Sequence, residues 1–202
     1  MHSPTASDPL DILIAHNAWG NRVLLEHCRP LTHEQFNRNF PIGVAGSGGL
    51  HRTFTHIVSA AGRWADRIRG ISPPRAALDP LPFTPPPGFP APDARDRSID
   101  ELLAINERTT RDLKDTARFS LAQPGGLGST IPLRFPPPPE KGGGFVESTI
   151  TRGVALTHVL THGHYHRAQA MNILRRLEVP GVSDKLPDMD VTDWQEQGEE
   201  GF

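Results

Sequence analysis

Four of the ten histidines in this chain fall within nine residues, at His158, His162, His164 and His166. Neutral imidazole is a ligand for divalent transition metals. On an α-helix, side chains four residues apart stand one above the other, so His162 and His166 can offer two nitrogens to one ion. His158 and His162 make an overlapping pair on that face, whereas His164 points elsewhere. At this histidine content roughly one such pair arises by chance, and a polar helix face is the plain alternative for any single pair. Two ligands also leave a site incomplete, because a catalytic zinc-type ion takes three protein ligands and keeps one position for water.

The elements that must position these residues are legible as helices. Asp8-Pro9 is a helix start with Asp as N-cap, and Leu10, Leu13, Ile14, Asn17, Asn21, Leu24 and Cys28 follow at helical spacing until Pro30. The glycine-rich stretch from Leu31 to Gly49 is mostly loop, with a short turn at Thr32 to Phe36. From Leu50 to Ile71 the set Leu50, Phe54, Ile57, Val58, Ala61, Ala65 and Ile68 gives the strongest helical signal in the chain. Ser98 and Glu101 form a capping box that opens a third helix to about Ala117. The last long helix is expected from about Glu147 to Leu177, closed by Pro180-Gly181.

The intervening segments read differently. Prolines crowd Ser72 to Pro92, which forbids helix and central strand and predicts an extended, solvated connection that adds no core. The stretch from Ala122 to Gly144 is broken by Pro and Gly, with a brief alternation at Thr130 to Phe135 that suits a short hairpin arm, expected to be mobile. After the last helix comes an acidic tail, with Asp188, Asp190, Asp193, Glu196, Glu199 and Glu200, expected to be solvated. The fold expected is all-α: one four-helix-bundle domain over 1–202, with loop insertions at 72–97 and 122–146 and a tail at 180–202. Two long connectors also suit helices that are not simply up-down-up-down.

Composition narrows the function. A formal charge of -2 supplies no field for nucleic acid or an anionic membrane surface. The single cysteine, Cys28, excludes an internal disulfide and a CxxC redox pair, and argues against thiol catalysis by the chain itself. No basic-then-apolar leader opens the sequence, and no run reaches the roughly 18 apolar residues of a membrane span. A cytoplasmic protein acting on a small molecule is the expectation.

A third ligand is available on the second long helix, which carries His51 and His56. Periodicity prefers His51, beside the apolar stripe, over His56, which lies with Thr53 and Ala60. Here a resemblance enters. The run from Thr55-His56 to Ala60 with Trp64 and Gly70, the run from His158 to Gln169, and the opening His16, Trp19 and Asn21 are similar to the motifs of the DinB family of metalloenzymes. The resemblance covers most of the helical chain, which departs from the family in its two proline-rich insertions. It implies a bundle of DinB type and a divalent ion, zinc or nickel foremost, held by His56, His162 and His166 with water in the remaining position, so His56 displaces His51.

The resemblance also implies transfer of a low-molecular-weight thiol, with hydrolysis by metal-bound water as the alternative. A non-catalytic, stress-associated metal-binding bundle is the rival, favoured if His51 or His158 closes the site, and pairing through helix faces would make a homodimer. Gln169 and Asn17 are expected to orient an imidazole through its other nitrogen, with a helix-helix hydrogen bond as the plain role for Asn17. Arg167 is expected to meet an anionic substrate or a carboxylate. Trp19 and Trp64 are expected in the core. No residue is singled out as general acid or base.

Overall fold

The computed structural model of the protein describes residues 8–43, 46, 48–81, 90–135 and 146–197. Four long helices dominate: α1 (Pro9–His27), α3 (Leu50–Arg69), α4 (Ile99–Ala122) and α5 (Arg152–Leu177), with short helices α2 (His33–Asn37) and α6 (Val191–Gln197). Their ends follow local chemistry. Asp8 accepts the Leu10 N–H at 2.8 Å at the start of α1, and Thr32 and Ser98 each complete a capping box. Gly70 ends α3 in the left-handed region at φ 73°, where a Cβ would be strained.

The expected start of the last helix is wrong by about one turn. Val146–Thr151 is a strand, β2, paired antiparallel with β1 (Thr130–Phe135), so the hairpin arm takes its second strand from residues assigned to the helix. The β-branched run Thr149-Ile150-Thr151 favours strand, and Thr151 then caps α5 by accepting the Val154 N–H. Residues 136–145, part of the segment expected to be mobile, lie outside the described residues. The strands themselves are packed, with Ile131 and Leu133 buried against the bundle.

Each long helix touches two others: α1 lies against α4 and α5, and α3 against α4 and α5. His56 of α3 meets His162 of α5 while Arg152 reaches the Ile68 carbonyl, so α3 and α5 run antiparallel. Asn21 bonds Asn106 while Arg29 pairs with Asp100, which sets α1 antiparallel to α4. One apolar cluster joins Leu24 and Leu25, Phe54, Leu102 and Ile173 at one end of the bundle. A second joins Ile14, Ile68, Leu113 and Leu156 at the other. Hence α3 and α4 run parallel, and the connector between them must travel the length of the bundle. Each fully buried Leu, Ile or Phe in these clusters contributes roughly 1.5–3 kcal/mol. Between the two clusters the helices turn polar faces toward one another, and the histidines sit at this waist.

Two further expectations are corrected. The proline-rich connector is not merely solvated: Ala77, Asp79 and Arg97 are buried, and Arg97 donates to the carbonyls of Leu78, Asp93 and Arg95. Backbone that cannot form helix or sheet is here satisfied by side chains instead. The tail is also anchored, because Trp194 is buried against Ala15 and Trp19, and His16 and His27 bond the carbonyls of Met189 and Val182. Asp188 and Asp190 are exposed as expected, and Glu199 and Glu200 lie outside the described residues. No helix among the described residues is long and apolar enough to cross a membrane.

Candidate metal centre

Helix α3 carries His56 at the waist, and α5 presents His162 and His166 one turn apart on the face toward it. The three rings turn their Nε2 atoms inward. His162 Nε2 lies 3.0 Å from His56 Nε2 and 3.1 Å from His166 Nε2, and the three potential ligand atoms all lie within 4.8 Å of one another. Two nitrogens bound at 2.0–2.1 Å with tetrahedral angles would sit about 3.3 Å apart. The cluster can therefore hold a metal ion.

The outer nitrogens show why. His56 Nδ1 is 3.0 Å from Asp79 Oδ2, and His166 Nδ1 is 2.7 Å from Gln169 Oε1. An ionised carboxylate and an amide oxygen only accept, so each Nδ1 carries the proton and each Nε2 is left with a lone pair aimed inward. A single N–H on His162 cannot give both a full hydrogen bond. Lone pairs gathered without enough protons to bridge them are a donor set for a cation. The carboxylate–histidine pairing is also the arrangement that fixes tautomer and ring orientation in metal sites.

Burial, reinforced by the His166 and His56 charges, pushes His162 down to about 3, and burial followed by the His56 charge lowers His166 as well. Both rings are thus held in the neutral form that ligates. Burial works to raise the Asp79 carboxyl, but its hydrogen bond to His56 and the His56 and Arg63 charges outweigh this and hold it low. Arg63 Nη1 stands 3.6 Å from Asp79 Oδ1, an ion pair too long for a hydrogen bond, and donates instead to Ser59 Oγ at 2.5 Å. Ser59 Oγ also accepts the Leu78 N–H, which pins the connector beside the site.

No family model matches the chain, and no curated protein matches it.

The structure brings together His56, His162 and His166 and leaves the other described histidines out of the cluster. His51 accepts the Arg97 backbone N–H at 2.9 Å through Nε2 and fastens the connector, which occupies a nitrogen that a ligand would need. His158 flanks the triad, its ring centroid 5.5 Å from that of His162 and 4.8 Å from that of Trp64. His164 is exposed. Gln169 orients His166 as expected. Asn17 does not orient an imidazole; its Oδ1 accepts from Arg167 at 2.6 Å, the helix-helix role.

Arg167 does not meet the expected carboxylate. It is 3 % exposed and donates to the backbone oxygen and Oδ1 of Asn17 and to Oδ1 of Asn21. Trp19 is core, whereas Trp64 is only partly buried and shares the site's margin. The residue that sequence reading missed is Asp79. It sits in a segment without periodicity, 23 residues from the histidine it serves, and only an acid interrupting an otherwise apolar, proline-rich run marks it.

Proposed function

We propose that the protein is a divalent-metal-dependent enzyme that transfers a low-molecular-weight thiol to a small electrophilic molecule. The observation that carries the metal reading is the convergence of three Nε2 lone pairs whose outer nitrogens are held by Asp79 and Gln169. The motif resemblance to the DinB family supports the reaction class. Cys28 supports an external thiol: it is buried, its thiol pushed up to about 12 by desolvation, so the chain has no reactive sulfur of its own.

His56, His162 and His166 would hold the ion, and Asp79 and Gln169 would keep the rings oriented and in the ligating tautomer. A divalent ion bound there supplies Lewis acidity that favours the ionised form of a thiol or water in its open position. In transfer, the thiol sulfur gives up its proton and its lone pair forms a new bond to the electrophilic carbon. The leaving group departs with the bonding pair and takes the proton, so no oxidant or reductant is required. His56 and His162 are part-exposed rather than sealed, which favours an open site over a purely structural one.

The test is cobalt substitution followed by titration with 2-mercaptoethanol. A new sulfur-to-cobalt charge-transfer band is expected. Cobalt uptake with no such band would redirect the reading to hydrolysis, and no cobalt uptake would refute the metal assignment itself.

A further inference from the structure

Beyond the triad, the groove between α3 and α5 continues toward the start of α5 as a line of three side chains that the metal site does not use. The Trp64 ring stands 4.8 Å from the His158 ring, and the Arg67 guanidinium lies over the Trp64 ring at 4.6 Å. His158 in turn adjoins His162. Among the described residues no carboxylate forms an ion pair with Arg67; burial and the Arg63 charge are what act on it, both lowering its pKa. Arg69, two residues on, is exposed. A half-buried guanidinium over an indole, with no carboxylate paired to it among the described residues, is suited to a planar or tetrahedral anion.

The charge around the site has the same sense. Arg63 and Arg67 approach the groove, with Asp79 paired to Arg63 at the triad, so a bound divalent ion would add to a local positive charge even though the whole chain carries -2. The helices give the spacing: along α3 the Arg67 backbone lies roughly three turns, on the order of 16 Å, beyond His56, which is level with His162.

The geometry points to a substrate-anion subsite made by Arg67 on Trp64, with His158 as the wall between it and the triad, recognising the carboxylate or phosphate of an elongated organic anion whose reacting atom lies at the triad. This deepens the proposed function and rests on it for the location of the reacting atom. The anion contact itself is independent of the ion.

The experiment follows the indole N–H resonances of the labelled full chain, as purified and again after chelation, during titration with inorganic phosphate or benzoate. Trp64→Phe assigns the Trp64 signal, and Trp19 and Trp194 serve as internal controls. A saturable shift of the Trp64 signal is expected before and after chelation, and the tighter of the two anions distinguishes phosphate from carboxylate. Loss of a charge-assisted contact weakens binding roughly tenfold to a hundredfold, which is the effect expected for Arg67→Gln. Arg67→Lys should fall between, and Arg69→Gln should match the wild type. Equal affinity in Arg67→Gln, or no Trp64 shift, would overturn the subsite. Binding abolished by chelation yet unaffected by Arg67→Gln would place the anion on the triad, overturning the subsite while leaving the metal reading intact. A Trp64 shift in a chain that takes up no metal even when incubated with zinc or nickel would do the reverse.

Discussion

His166 and Arg167 are neighbours on α5, yet they belong to polar clusters of opposite kind at the same waist of the bundle. On the Arg167 side donors face acceptors: Arg167 Nη1 bonds Asn17 and Asn21, Asn21 bonds Asn106, and Asn106 bonds the Ala18 carbonyl. Gly163 and Gly20 make room for it, since a Cβ on Gly163 would come within 2.3 Å of Asn17 Oδ1. On the His166 side three Nε2 atoms converge with at most one N–H among them, and the buried Asp79 Oδ1 has no hydrogen bond. A network in which donors meet acceptors holds helices together; a network short of protons is poised to take a cation. The contrast separates structural polarity from functional polarity better than burial does, because His166 and Arg167 are both buried.

If that contrast is right, substitutions on the two sides should part company. The largest effect is expected for His162→Ala, which removes the central ligand and should weaken metal binding at least a thousandfold by titration against a competing chelator, with little loss of stability in the metal-free chain. The same residue sets an acid limb. Its folded pKa of about 3 lies below its ordinary 6.5, so the unfolded chain binds the extra proton between these values. Metal-free stability should therefore be complete above about pH 6.5 and fall progressively toward pH 3, with a shallower fall in His162→Ala, as read by urea melts across that range.

Arg167→Ala should show the opposite profile. Leaving the Asn17 and Asn21 oxygens unpaired costs about 3 kcal/mol, or on the order of 10 °C in melting temperature, while the folded fraction still takes up metal. Asp79→Asn comes next, with metal affinity down about 10- to 100-fold through loss of the carboxylate that holds His56. The smallest effect is expected for His51→Ala: about 1 kcal/mol of stability from the unpaired Arg97 N–H, and unchanged metal affinity. A metal loss in His51→Ala comparable to that in His162→Ala would break the distinction between the two sides.

Much of this was legible in the sequence because it is written in local patterns. Caps and apolar periodicity place α1, α3 and α4 within a few residues, although α4 continues to Ala122 rather than Ala117. The histidine spacing on α5 marks the pair, His162 and His166, that meets His56. His56 was reached through motif resemblance against periodicity, since the wheel measures distance from the main stripe and His56 faces the second neighbour of α3. What stayed hidden was long-range. Asp79 reaches His56 only because the crossover connector folds back onto Ser59, and Arg167 finds its partners on α1 across some 150 positions. The tail escaped notice because one aromatic, Trp194, anchors an otherwise acidic segment.

The most direct test of the central claim is metal content by mass spectrometry on untagged protein purified without added metal, beside His56→Ala, His162→Ala and His51→Ala. The account predicts near one divalent ion per chain in the wild type and in His51→Ala, and none in the other two. Metal retained in His56→Ala or His162→Ala, or absent from the wild type even after incubation with zinc or nickel, would contradict it.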